Sequence, residues 1–255
     1  MSYSIESITE SIGARRMGNA PATIDWLLTD SRSLNFPEET LFFALTTKRN
    51  DGARYIADLY ARGVRNFVLS EESFRLMDNG QLTIDNAMQR DDAQSIVNYL
   101  IVPNPLKALQ KLAEQHRNRF QIPVIGITGS NGKTVVKEWL HQLLSPERAI
   151  IRSPRSYNSQ IGVPLSVWQM NEQSELAIFE AGISEPGEMR ALQNIIKPTI
   201  GILTNIGGAH QENFFSLQEK CMEKLTLFKN CDVVIYNGDD EFVSNCVAKS
   251  MLSAR

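Results

Sequence analysis

A glycine-rich segment, residues 126–134 with the sequence GITGSNGKT, carries the clearest chemical signal in the chain. Glycines let a backbone curl so that its amides converge on phosphate oxygens, and the N-terminus of a following helix adds a favourable dipole. In such loops (P-loops) the lysine, here Lys133, reaches the β- and γ-phosphates, and the next hydroxyl, here Thr134, binds Mg²⁺. The strict pattern has its first glycine at the position of Ile127, whereas here glycines stand one residue before it and two residues after it. The residues expected to hold a nucleotide belong to the loop and the first helical turn: Gly129, Ser130, Asn131, Gly132, Lys133 and Thr134.

Three more candidates for residues of the same site follow in this half of the chain. Glu180 comes directly after the apolar segment 176–179, where a parallel sheet can present a carboxylate to Mg²⁺, and an ordinary glutamate at the end of a strand is the alternative. His210 lies in a glycine-containing loop, and by spacing alone a structural histidine is as good an interpretation as a functional one. Lys224 lies fourteen residues after His210, and pattern alone predicts a solvent-exposed helical lysine there.

The elements that must position these residues alternate regularly from Pro105 onward. Apolar periodicity predicts strands at 124–128, 149–152, 176–179, 200–204 and 233–236, separated by helices at 133–144, 161–169, 187–196 and 217–228. Alternation of this kind is typical of a parallel sheet with helices on both faces. Ligands of such sheets bind beyond the carboxyl ends of the strands, which is where the P-loop, Glu180 and His210 would all lie.

The first hundred residues have a less regular pattern. Strands are predicted at 40–45, 66–69 and 99–102, a helix at 55–62, and a polar, irregular stretch at 71–92. A Pro-Asn-Pro sequence at 103–105 then indicates a domain boundary. The predicted fold class is therefore α/β: a small mixed α/β domain at 1–103, followed at 104–255 by a P-loop domain with a parallel sheet.

Composition narrows the class of protein. The chain has 255 residues, of which 42% are hydrophobic and 22% charged, as in ordinary soluble domains. No apolar run approaches the roughly 20 residues that cross a bilayer, and the first residues do not resemble a secretion signal. Three cysteines in no metal or redox spacing favour a reducing cytoplasm. A net charge of −3 gives no support to nucleic-acid binding, so an anionic ligand must be held by local groups.

Four motifs, taken together in their order and spacing, resemble the Mur ligase family. Its members are ATP-dependent amide-bond-forming enzymes of cell-wall precursor synthesis. The combination is much more specific than a P-loop alone, and the motifs are GSNGKT at 129–134, EAG at 180–182, AH at 209–210 and EK at 223–224.

Further segments are similar to the family members that add D-alanyl-D-alanine. TDSR at 29–32, LFFAL at 41–45 and DG at 51–52 resemble their amino-terminal UDP-sugar-binding domain. The segments YNSQIGVP at 157–164 and PGEM at 186–189 resemble parts of their ATPase domain. The chain departs from the family in having Ser-Tyr-Asn-Ser at 156–159 in place of the frequent Asn-Tyr-Asn-Asn, and Arg155 in place of a glycine.

The resemblance implies a role for each matching residue. Lys133 would bind phosphate, Thr134 and Glu180 would hold one Mg²⁺, and His210 would help to hold a second. Lys224 matches the lysine that CO₂ carbamylates, and a carbamate supplies anionic oxygen ligands that an ammonium cannot. Four residues would contact the UDP-linked substrate: Asp30, Ser31 and Arg32 near the uridine diphosphate, and Asn158 near the sugar-peptide.

The same resemblance implies the reaction and the partners. The substrates would be ATP, a UDP-N-acetylmuramoyl-tripeptide and D-alanyl-D-alanine, which are joined through an acyl phosphate. Family members have three domains, so we expect this chain to stop before the end of the central domain, to lack the carboxy-terminal domain and to be inactive alone. The resemblance is compatible with fusion to an alanine racemase downstream.

Two other interpretations remain open at this point. The chain could belong to a ligase that adds the third peptide residue or to a folate-polyglutamate ligase, although the amino-terminal match disfavours the latter. It could also be a nucleotide-binding module that regulates a fused partner and does no chemistry, since a fold alone does not establish a function.

Overall fold

The computed structural model describes residues 1–47, 50–78, 96–208 and 213–250, and only the backbone at Asn50 and Asp78. The chain divides into two compact units, Met1–Leu112 and Ala113–Arg255. The division falls inside one helix, Pro105–Arg117, whereas the sequence predicts a boundary immediately before that helix. Each unit has its own sheet.

The sheet of the first unit is mixed. The strands of this unit are β1 Tyr3–Ser4, β2 Arg15–Met17, β3 Thr23–Ile24, β4 Trp26–Leu28, β5 Thr40–Phe43, β6 Thr46–Thr47, β7 Asn50–Asp51, β8 Asn66–Ser70 and β9 Asn98–Val102. The sheet has the strand order β2-β9-β8-β5-β4, in which β2 is antiparallel to β9 and the other neighbours are parallel. Two short antiparallel pairs, β1 with β3 and β6 with β7, accompany it.

The described helices that begin in the first unit mostly have side-chain caps at their N-termini. They are α1 Ile5–Ile12, α2 Ile56–Ala61, α3 Glu71–Asp78 and α4 Pro105–Arg117, with 3₁₀ turns at Ser31–Ser33 and Gly52–Tyr55. The prediction of an irregular stretch from residue 71 is wrong for α3, and its continuation at 79–92 lies outside the described residues. At the start of α3 the Ser70 hydroxyl accepts the Ser73 amide at 3.0 Å, and Glu71 and Glu72 favour the first turn electrostatically. A polar composition had concealed this amphipathic helix.

The sheet of the second unit is entirely parallel. Its strands are β10 Val124–Thr128, β11 Ile150–Arg152, β12 Leu176–Glu180, β13 Ile200–Leu203 and β14 Val233–Ile235. They lie in the order β11-β12-β10-β13-β14. The helices are α5 Lys133–Leu144, α6 Gly162–Val167, α7 Glu188–Ile196, α8 Leu217–Leu225 and α9 Glu241–Lys249. The predicted α/β class and parallel sheet are confirmed, while α9 was not predicted. Because β10 lies at the centre, the loop after it is flanked by the ends of β12 and β13.

Each face of this sheet has its own apolar layer. On one face, α5 places Val136, Leu140 and Leu144 against Ile127 of β10 and Ile178 of β12. The larger core on the other face joins α7, α8 and a 3₁₀ turn at Thr226–Phe228. The helix predicted at 217–228 therefore changes to a 3₁₀ turn for its last residues. No helix in the described part of the chain is long and apolar enough to cross a bilayer.

The packing of β13 against the 3₁₀ turn requires a glycine. A Cβ at Gly201 would lie 2.4 Å from Cδ1 of Phe228, which is itself fully buried. We therefore expect Gly201→Ala to lower the free energy of unfolding by about 1–3 kcal/mol, because overpacking forces side chains or backbone to shift. Urea denaturation measures this change. The control is Gly238→Ala, since a Cβ at Gly238 meets nothing within 4 Å; equal stabilities for the two variants would contradict the packing argument.

Candidate active site

The P-loop leaves β10 and is attached to the segment that follows β13. Gly129 has φ +143°, and a Cβ on it would lie 2.0 Å from the Thr204 hydroxyl oxygen, so this approach requires glycine. The Ser130 amide donates to the Asn205 carbonyl at 2.8 Å, and the Asn131 amide donates to the Asn205 side chain at 3.1 Å. Two loop amides that the sequence suggested for phosphate are thus engaged within the protein. The amides of the first turn of α5 have no partner inside the helix and point toward its N-terminus.

The Lys133 side chain folds back over the P-loop. Its Nζ donates to the carbonyl of Gly129 at 2.8 Å and lies 3.4 Å from the carbonyl of Ser130. Burial lowers the pKa of Lys133, and the nearby Lys220 acts in the same direction, whereas Glu180 opposes them. Carbonyl oxygens are weaker partners for an ammonium than carboxylates or phosphates. This amine is therefore well placed to exchange its carbonyl contacts for an anionic ligand.

Helix α8 brings two further lysines to the same loop. Ser216 caps its N-terminus by accepting the Glu219 amide at 3.1 Å, and the Glu219 side chain accepts the amide of Phe215, the residue before the cap, at 2.7 Å. Lys220 and Lys224, one helical turn apart, are 1% and 3% exposed. The exposed lysine that the pattern predicted at Lys224 is therefore buried.

The amines of these two lysines contact backbone oxygens. Lys220 Nζ donates to the carbonyl of Gly207 at 2.6 Å, and Lys224 Nζ donates to that of Gly129 at 3.2 Å. Burial, together with the charges of Lys133 and Lys220, lowers the pKa of Lys224 to about 8. A substantial fraction of this amine is consequently neutral near physiological pH.

Glu223, the residue before Lys224, fixes the position of α8 relative to α7. Glu223 Oε1 accepts the amides of Gly187 and Met189, both at 3.0 Å, at the N-terminus of α7. A carboxylate is favourable at this end of a helix because it satisfies unpaired amides and complements the dipole. Glu223 therefore connects α7 to α8, and this contact helps to direct Lys224 toward the P-loop.

Glu180, the last residue of β12, is fully buried beside the start of α5. Its Oε2 accepts a hydrogen bond from the Thr134 hydroxyl at 3.0 Å, and its Oε1 lies 2.9 Å from Nζ of the buried Lys137. Within the described residues Oε1 accepts no hydrogen bond, although Lys137 is its ion-pair partner. Two hard oxygen groups, Thr134 and Glu180, thus stand together with spare acceptor capacity, and this donor set suits Mg²⁺.

The loop after β11 completes the surroundings of the P-loop. The Asn158 carbonyl accepts the Gly182 amide at 2.8 Å, and Gly182 has no side chain to displace that of Asn158. A cavity of about 120 Å³ is lined by residues of three loops and of the helices α5 and α8, among them Ser130, Lys133, Asn158, Gly182, Ser184 and Lys224. Lys133 and Lys224, whose amines contact backbone carbonyls, therefore line the same cavity as Asn158.

The structure brings most of the predicted site residues of the second unit together. Asn158, Lys224 and the P-loop residues Gly129, Ser130 and Lys133 line the cavity. Thr134 and Glu180 are hydrogen-bonded at the start of α5, whereas His210 lies outside the described residues.

The predicted residues Asp30, Ser31 and Arg32 belong to the first unit. Asp30 caps the 3₁₀ turn at Ser31–Ser33 and forms an ion pair with Arg32 at 2.7 Å. The Arg32 hydrogen bond holds the pKa of Asp30 below its usual value. Arg62 donates to the Ser31 carbonyl at 2.8 Å, while the Arg32 side chain is 87% exposed. The turn is therefore held rigidly and presents an arginine to solvent.

Sequence reasoning missed two lysines at this site, Lys137 and Lys220. Each lies four residues from a predicted functional lysine, on the same face of the same helix. That spacing is the only signal they offer, and it is equally typical of an exposed charged face.

Comparison with known proteins shows that this sequence is similar to a known enzyme family. Residues 127–253 match the family model described as the Mur ligase middle domain. The UDP-N-acetylmuramoyl-tripeptide–D-alanyl-D-alanine ligase of Borreliella burgdorferi is 32% identical over 227 residues, covering 88% of this chain and 47% of the relative. The corresponding enzyme of Bacillus subtilis is 30% identical, covering 87% of this chain and 45% of the relative. The chain thus spans about half the length of the curated relatives that it matches.

Solved structures share the fold. A crystal structure of MurF from Acinetobacter baumannii superposes with a TM-score of 0.81 at 23% identity, covering 98% of this chain and 52% of that one. MurF ligase from Thermotoga maritima, in complex with ADP, gives a TM-score of 0.69 at 24% identity over 88% of this chain and 48% of that one. At these identities the structural likeness establishes the fold. With the family match and the sequence relatives, it places this chain in the Mur ligase family, whose middle domain it carries.

Proposed function

We propose that this chain is the substrate-binding and ATP-binding part of a ligase that joins D-alanyl-D-alanine to a UDP-N-acetylmuramoyl-tripeptide. The observation that carries the proposal is the convergence of Lys133, Lys224 and Asn158 on one cavity beside the Thr134–Glu180 pair. The curated relatives bear the name of this activity, and one structural neighbour contains ADP. These three observations support the same reaction class from independent directions.

The chemistry requires activation of a carboxylate. Transfer of the γ-phosphoryl group of ATP to a carboxylate oxygen gives an acyl phosphate and ADP. The amine of D-alanyl-D-alanine then attacks the acyl carbon, phosphate leaves with the bonding electrons, and the nitrogen loses a proton. The products are the amide, ADP and phosphate. Transfer between anions needs alignment and positive charge more than covalent participation by the protein.

The residues of the second unit can meet these needs. Lys133 would exchange its carbonyl contacts for phosphate oxygens, while the N-terminus of α5 adds its dipole. Thr134 and Glu180 would hold Mg²⁺, which when bound neutralises charge on the transferred phosphoryl group. We assign His210 to a second Mg²⁺ from the family resemblance. Asn158 would contact the sugar-peptide whose carboxylate is activated.

We assign the amino-terminal domain predicted from the sequence, residues 1–103, to the uridine diphosphate part of the substrate, and residues 104–255 to ATP. The supporting feature is the rigid turn of Asp30, Ser31 and Arg32, which leaves an exposed guanidinium suited to a phosphate. All three cysteines are free thiols, which supports a location in the reducing cytoplasm.

We further propose that Lys224 reacts with CO₂. Its neutral amine attacks the carbon of CO₂, a nitrogen–carbon bond forms, and a proton leaves to water, producing a carbamate anion. A pKa of about 8 in place of 10.5 raises the neutral fraction at pH 7 roughly 300-fold. The partly buried Lys133 and the buried Lys220 would then stabilise the new negative charge.

A coupled assay for ADP tests the proposed reaction in the full-length protein. We expect ADP formation to require both UDP-N-acetylmuramoyl-tripeptide and D-alanyl-D-alanine, and to fall to the background rate when either is omitted. Single amino acids and folate substrates serve as controls for related ligases. ADP formation driven by a single amino acid in place of the dipeptide would assign a different member of the family. No turnover with any acceptor would favour a non-catalytic module.

Replacement of the P-loop lysine tests phosphoryl transfer. We expect Lys133→Ala to lower kcat/KM at least about 1000-fold in the full-length protein, because the P-loop ammonium no longer stabilises the charge on the transferred group. Single-turnover measurement of phosphoryl transfer, with thermal melting to verify folding, gives the result. ATP turnover near the wild-type rate would remove Lys133 from the mechanism.

Labelled CO₂ tests the role of Lys224. We expect a ¹³C carbamate resonance from wild-type protein equilibrated with ¹³C-bicarbonate, its loss in Lys224→Ala, and a decrease in kcat of at least about 100-fold in that variant. Removing CO₂ should lower the wild-type rate and leave the variant unchanged. Lys229→Ala, at an exposed lysine nearby, is the matched control. A fully active Lys224→Ala variant would eliminate the carbamate.

A further inference from the structure

A further buried cation belongs to α5 and is not among the residues that line the cavity. Lys137 of α5 is completely inaccessible to solvent, and its ammonium is 2.9 Å from Oε1 of Glu180, which is equally buried. Isolating either charge from water would be costly, so each compensates the other. Another carboxylate, that of Glu138, lies 3.2 Å from the same ammonium but is 35% exposed and also pairs with Arg152. Glu180 is therefore the buried anion that Lys137 neutralises.

Lys137 also connects Glu180 to the segment that leaves β11. Its Nζ donates to the carbonyl of Ser153 at 2.8 Å and to that of Arg155. The Ser153 hydroxyl accepts the backbone amide of Glu180 at 3.2 Å, which makes a second link between the same two segments. Arg155 has a left-handed backbone with φ +49°, and the chain continues from it to Asn158 at the cavity. One ammonium thus joins α5, the end of β12 and the start of the Asn158 loop.

We propose that Lys137 is a positioning residue that fixes the Glu180 carboxylate against the Asn158 loop and reduces the negative charge that Glu180 offers to Mg²⁺. The inference rests on the proposed nucleotide and Mg²⁺ chemistry of this site. Thr134 orients one carboxylate oxygen and Lys137 restrains the other, so the carboxylate cannot rotate freely. Because Lys137 partly neutralises Glu180, Mg²⁺ would bind this carboxylate weakly enough to enter and leave together with the nucleotide. The two contacts of Lys137 with backbone carbonyls would hold the Asn158 loop at a fixed position relative to Glu180.

A double-mutant cycle on thermal stability tests the charge compensation without requiring any ligase activity. In metal-free protein, Lys137→Met leaves a buried carboxylate uncompensated, and we expect Tm to fall by about 10 °C. Adding Glu180→Gln to that variant removes the uncompensated carboxylate charge and should restore at least about half of the lost Tm. Glu138→Gln is the matched control and should shift Tm by no more than about 2 °C, because that carboxylate is partly solvated.

The outcomes of the cycle are decisive even if Lys137→Met does not fold. A folded double variant then supports the proposal, and a double variant no more stable than the single one overturns it. A wild-type Tm for Lys137→Met would also overturn it. Because this cycle does not involve the substrates, it can succeed while the ligase assay fails, and the two failures are distinguishable.

Magnesium dependence supplies a readout that a merely structural role would not change. For Lys137→Met in full-length protein, we expect the Mg²⁺ concentration that half-saturates ADP binding to fall about tenfold, because a fully charged carboxylate attracts the metal more strongly. In the ligase assay kcat should fall as well, since the carboxylate and the Asn158 loop lose their common anchor. An unchanged or increased Mg²⁺ requirement would contradict the proposal.

Discussion

Compensation of buried charge governs the arrangement around the P-loop. Glu180 and Lys137 are both inaccessible to solvent, and each would be costly in an apolar interior without the other. Their pairing holds the end of β12 against α5, and the Lys137 contacts to the carbonyls of Ser153 and Arg155 extend this hold to a third segment. The position of the candidate metal-binding group therefore depends on this ion pair as much as on the sheet.

On the opposite side of the P-loop, three lysine side chains approach the same loops. Lys133, Lys220 and Lys224 converge near Gly129 and Gly207, and their amines donate to backbone carbonyls of these loops. Burial and mutual repulsion depress the pKa values of Lys133 and Lys224, which destabilises the charged amines in the absence of an anion. The local cost in stability is that of a site that favours an anion, and such costs are common at functional sites.

The two sides are brought together by the order of the strands. With β10 at the centre of a parallel sheet, the end of β12 supplies Glu180 and the segment after β13 supplies Asn205, which holds the P-loop. The cap at Ser216 and the contact of Glu223 with α7 then set the direction of α8 and its lysines. Helix caps, which are local features, in this way decide where functional groups separated by many residues meet.

The sequence by itself determined the alternation of strands and helices, the P-loop and the position of Glu180 at a strand end. These follow from apolar periodicity and glycine spacing, which are properties of neighbouring residues. Only the tertiary structure decided that Lys137, Lys220 and Lys224 are buried and that two P-loop amides are engaged by Asn205. A lysine four residues from another lysine has the same local pattern on an exposed face as in a charged interior. Burial depends on which distant strand ends lie beside it, and that is set by the order of the strands in the sheet.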